Sequence, residues 1–96
     1  MNKHIEKNEI SNLFKAVLSL KNEQECQDFF DDLCTNKEVE QMAQRVCAAK
    51  LLMDGKTYNQ VIDETDISSA TLSRVSRCVQ YGNGYSKLLK QSEVDR

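Results

Sequence analysis

"TYNQVIDETDISSATLSRVSRCVQY", residues 57–81, is the stretch on which the reading of the chain turns. Thr57 and Gln60 stand at the spacing of a capping box, opening a short helix over 57–64 with Val61 and Ile62 facing inward. Thr65, Asp66 and Ile67 follow as a turn, and Asp is one of the few residue types besides glycine that tolerates left-handed backbone. Ser68 or Ser69 caps the next helix, which buries Leu72, Val75 and Val79 and runs to Tyr81 before "GNG" at 82–84 breaks it. Two short helices joined by a tight turn have the spacing of a helix-turn-helix, whose first helix braces a second that enters the DNA major groove. The turn has no glycine, and the bulky Ile62 stands where many such motifs carry a small residue.

The residues at the start of the second helix suit that task. Ser68, Ser69, Ala70 and Thr71 are short, so the helix end can approach base edges closely. Their hydroxyls can bond bases or phosphates, and the methyls of Ala70 and Thr71 can touch a thymine methyl. Arg74 lies one turn further on and Arg77 about another, within reach of guanine or phosphate. Thr57 at the head of the first helix and Lys87 beyond the second complete the expected DNA face. Charge follows the same division. Residues 1–40 carry net −4 and 41–66 net −1, whereas 67–92 hold Arg74, Arg77, Lys87 and Lys90 with no carboxylate, inside a chain of formal net charge −2. The positive end is local, as a surface for an anionic partner would be.

Outward from this segment, the absence of proline lets helices run uninterrupted. Ile10, Leu13, Phe14, Val17, Leu18 and Leu20 recur as one face of an amphipathic helix. Asn22 with Glu25, and Thr35 with Glu38, read as capping boxes opening two more helices. The first carries Cys26, Phe29, Phe30 and Leu33; the second carries Val39, Met42, Ala43, Val46, Cys47, Ala49, Leu52 and Met53 and stops at Gly55. The expected architecture is all-α: one domain over 1–96, with dimerisation helices in 1–34, a core helix plus helix-turn-helix in 35–81, and a tail in 82–96. The apolar faces of 10–20 and 26–33 exceed what one short chain can bury, so a homodimer is expected. Cys26, Cys34, Cys47 and Cys78 form no CxxC pair and His4 is the one histidine, so no metal site is expected and the cysteines read as small buried hydrophobes. No clustered acid and base or Gly-rich phosphate loop offers catalysis, and no cofactor is expected. No apolar run suits a membrane span or signal peptide, which points to the cytoplasm.

Across about residues 34–90 the chain resembles the Trp repressor superfamily, and within it the small related proteins of YerC/YecD type. "MAQRV", "LLMDGKTYNQV" and "SSATLSRVSRCVQYGNGY" carry the resemblance. It implies a Trp-repressor-like chain of five to six helices, an intertwined homodimer presenting two heads to a partly palindromic double-stranded operator, and a repressor. The alternative is a dimeric protein-interaction module of the same fold that has lost specific DNA binding. The resemblance also implies a corepressor site, because Thr35, Arg45 and Arg74 match the threonine and two arginines that hold tryptophan in the Trp repressor. Val75 departs from that pattern, standing where the repressor has glycine, and its branched side chain would fill indole space. Tryptophan is therefore not expected to bind. By themselves, Thr35 reads as a helix cap, Arg45 as a surface or ion-paired residue, and Arg74 as a phosphate contact.

Overall fold

The computed structural model describes residues 7–89; residues 1–6 and 90–96, with His4 and Lys90, lie outside the described range. Six helices occupy it: α1 (Lys7–Leu18), α2 (Glu23–Leu33), α3 (Asn36–Met53), α4 (Tyr58–Thr65), α5 (Ser69–Tyr81) and α6 (Tyr85–Leu88). The chain divides into two compact units, residues 1–36 and 37–96. The short α6 lies within the segment expected to be tail, where "GNG" ends one helix and the chain re-enters another.

The first unit holds α1 and α2. Asn22 caps α2, its side chain accepting from the Glu25 N–H at 2.8 Å. Glu25 reaches one residue further back than a capping box does, accepting from the Lys21 N–H at 2.9 Å. Neither helix contains a buried residue. Phe14 is 59% exposed and Leu18 82%, so the apolar stripe of α1 is intact in sequence and uncovered in the chain.

The second unit has the core. Ala48 and Ala49 of α3, Val61 of α4, Ile67 of the turn, and Leu72 and Val75 of α5 are its buried members, with Leu51, Leu52, Ile62, Val79, Tyr85 and Leu89 packed against them. Ala48 and Ala49, in the last third of α3, are fully buried, and their small side chains let neighbouring elements approach the α3 backbone closely. Ile62 is accommodated at the edge of this core, half-buried. The cysteines depart from expectation. Cys26 and Cys47 are exposed and Cys34 and Cys78 half-buried: Cys26 stands on α2, which contains no buried residue, and Cys34 is the C-cap beyond that helix.

Each helix end in this unit has a local cause. Gly55 ends α3 in left-handed backbone at φ 92°. Its N–H donates to the Leu52 carbonyl and that of Lys56 to the Leu51 carbonyl, both at 3.0 Å, the paired bonds of a Schellman cap. Thr57 and Gln60 form the expected capping box on α4, with bonds of 3.2 and 2.9 Å. Asp66 ends α4 in the left-handed region, φ 60° and ψ 18°. Gly82 ends α5 extended, and a Cβ there would lie 2.7 Å from the Cys78 carbonyl oxygen.

Gly55→Ala should lower stability by about 1–2 kcal/mol, the cost of left-handed backbone for an L-residue, since nothing within 4 Å of the added methyl contributes. Gly84→Ala, at φ −86° and equally open, should change it by less than about 0.5 kcal/mol. Urea midpoints at one fixed protein concentration check both.

Candidate nucleic-acid interface

The α5 N-terminus is built by hydroxyls. Ser68 is the N-cap; its Oγ accepts from the Thr71 N–H at 3.1 Å and donates to Thr71 Oγ1 at 2.9 Å. Ser68 thus holds the helix end together, which narrows its capacity for outside contacts. Ser69 and Ala70 are exposed beside it, and Thr71 is half-buried. Arg74 and Arg77 are both exposed on α5, and Lys87 is exposed on α6. Residues 67–89 contain no carboxylate, while Asp63, Glu64 and Asp66 are exposed on and just after α4. The carboxylate-free run therefore covers α5 and α6 and begins just past the turn, at Ile67, while Lys50 and Lys56 are exposed basic residues outside it. Thr57 has its hydroxyl in the capping box of α4.

The turn that aims α5 is held by bonds from three places. Thr65 Oγ1 donates to the Val61 carbonyl at 2.8 Å and accepts from the Ile67 N–H at 3.2 Å. The Asp66 N–H donates to the Ile62 carbonyl at 2.9 Å. From α3, Gln44 Nε2 donates to the Thr65 carbonyl at 2.8 Å. A hydrogen bond of this kind contributes about 0.5–1.5 kcal/mol net, similar to the cost of about 1–2 kcal/mol for an L-residue in left-handed backbone such as Asp66. Gln44 escaped the reading of the sequence. Its signal was present, a polar residue on the stripe of α3 that continues through Ala48, Leu51 and Leu52.

Arg45 and Arg74 come together. With Thr71, Val75, Cys78 and Tyr85 of α6 they line a polar cleft of about 290 Å³ between α3 and α5. Thr35 belongs to the other unit and is not one of the lining residues. Val75 is 1% exposed, so the same side chain that fills the core is also a wall of the cleft. Arg77 lines no part of it; the two α5 arginines face different surroundings. A second, apolar cavity of about 450 Å³ is lined by Val46, Cys78, Gly82, Gly84, Tyr85, Leu88 and Leu89. Cys78 and Tyr85 are shared by both, and neither was marked as a site residue by sequence. No described helix is long and apolar enough to cross a membrane.

Comparison with known proteins gives this geometry a family. The curated "Uncharacterized protein YerC" of Bacillus subtilis (strain 168) is 51% identical over 75 residues, covering 78% of this chain and 72% of that protein. The crystal structure of a TrpR like protein from Eubacterium eligens ATCC 27750 superposes with TM-score 0.87 at 39% identity, covering 96% of each chain. A crystal structure from Staphylococcus aureus, provisionally assigned as a Trp repressor, gives TM-score 0.86 at 40% identity over 92% of this chain and 89% of that one. With the all-α, helix-turn-helix architecture described above, and with the Trp repressor protein profile matching residues 8–93, the chain belongs to the Trp repressor family.

Proposed function

We propose that the chain is a sequence-specific, DNA-binding transcriptional regulator that acts as a homodimeric repressor. The observation that carries this reading is the α5 N-terminus, capped by Ser68, exposing Ser69 and Ala70, backed by Arg77 and free of carboxylates. Short side chains allow close approach to base edges, and exposed guanidinium groups supply contacts to phosphate or guanine. Lys87 and the α4 start at Thr57 flank this helix as backbone contacts. The uncovered apolar stripe of α1, with Leu33 of α2 also 51% exposed, supports a homodimer, since a second copy offers the same apolar faces for burial. Two-fold symmetry then sets two half-sites about one helical turn, roughly 34 Å, apart.

The polar cleft is the effector site in this reading. Arg45 and Arg74 offer paired guanidinium donors and Thr71 a hydroxyl, a set suited to a small carboxylate. Thr35 enters the same proposal only as the position that matches the family's threonine. Val75 takes the room that a flat bicyclic ring would need.

Binding to a selected duplex should weaken with salt, with a log–log slope of about −0.9 for each phosphate neutralised; no detectable binding at low salt would remove the regulator reading. Arg77→Ala should cost about 1–3 kcal/mol of discrimination at one base pair, measured with base-substituted duplexes. Equal weakening on every sequence would make Arg77 a backbone contact. The unfolding midpoint should rise with protein concentration, and sedimentation showing a folded monomer at low micromolar concentration would reject the dimer. Calorimetry should show no tryptophan binding by the unchanged protein. Val75→Gly opens the cleft and leaves a core cavity, so tryptophan binding gained by a folded Val75→Gly chain supports the steric reading, and micromolar binding by the parent overturns it.

A further inference from the structure

The peptide plane between Thr65 and Asp66 is pinned at both ends. Its N–H, on Asp66, donates to the Ile62 carbonyl within α4, and its C=O, on Thr65, accepts from Gln44 of α3, 21 residues away. The next plane is held by the Ile67 N–H donating to Thr65 Oγ1. Between the two planes sits Asp66, the one non-glycine residue with positive φ among the described residues. A residue in that conformation relaxes toward right-handed backbone if an adjoining plane is free to rotate, and such a rotation would redirect the chain just before Ser68 caps α5. The side-chain bond from Gln44 of α3 to the Thr65 carbonyl opposes it, and the bond and the strain are of similar size.

We infer that Gln44 is a positioning residue for the recognition helix: its amide holds the Thr65 carbonyl, keeps Asp66 left-handed and so sets the direction of α5. This rests on α5 being the DNA-reading helix, as proposed above. Gln44 touches no DNA in this account and stands on the stripe of α3 that faces the core. The apolar core, and not this one bond, supplies most of the cohesion between the helices. The consequence of losing the bond is therefore a turn with two conformations, not an unfolded unit.

The test pairs Gln44→Met, which keeps length and removes the donor, with Asp66→Gly, which removes the conformational strain because glycine adopts positive φ freely. Affinity for a duplex selected from a random pool by the parent protein should fall about tenfold in Gln44→Met, with helix content and affinity for unrelated duplex retained. Adding Asp66→Gly should restore most of it. An unchanged ratio of selected to unrelated affinity in Gln44→Met overturns the inference, as does a loss that Asp66→Gly fails to restore. Amide hydrogen exchange at Asp66 and Ile67 reads the same turn without DNA. Protection should drop in Gln44→Met and return in the double variant, and unchanged protection overturns the inference even if the parent binds no duplex.

Discussion

Ile67 is buried to 2% exposure inside a turn, and that burial ties the direction of α5 to the packing of α3. Turns usually lie on the surface because their backbone groups need water. Here the Ile67 N–H, the Asp66 N–H and the Thr65 carbonyl are bonded internally, to Thr65 Oγ1, the Ile62 carbonyl and Gln44, so an apolar side chain can be drawn inward at the bend. Leu72 and Val75 then complete the same core from α5, one and two turns beyond. The exposed face of α5 is what remains after those positions are taken. Its arginines and short polar residues are held outward by the apolar residues buried behind them.

The first unit has the opposite character. Its helices are well capped at the start of α2 and strongly amphipathic in sequence, and yet contain no buried residue. Local hydrogen bonding shapes them, while their apolar surface is uncommitted within one chain. The charge pattern separates along the same line. Acidic residues concentrate in 1–40 and the carboxylate-free segment in 67–92, so repulsion from a polyanion falls on one part of the sequence and attraction on another.

Much of this was legible because the signals were short-range. The Thr57–Gln60 box, the left-handed Asp66, the Ser68 cap, the Gly55 stop and the inward Val61, Leu72 and Val75 each follow from residues within about one or two turns. What escaped was decided at longer range. Gln44 meets Thr65 across 21 residues, and a half-buried glutamine on a helix stripe does not announce its acceptor. The cleft is lined by Arg45 and Arg74 without Thr35, and Tyr85 reaches it from a short helix that "GNGYSKLL" did not advertise. The cysteines were misread because apolar spacing marks a stripe without showing whether the chain covers it, as at Cys26 on the uncovered α2.

Val75 serves two neighbourhoods with one side chain, the core behind α5 and the cleft beside Arg74. The room in the cleft and the packing of the core are thereby linked in this protein. A lineage cannot widen the cleft at this position without hollowing the core, nor enlarge the residue for tighter packing without narrowing the cleft. A change in cleft shape that spares the core is open instead at Thr71 and Tyr85, which wall the cleft without filling the core centre. Widening the cleft through position 75 therefore calls for added packing elsewhere in the core.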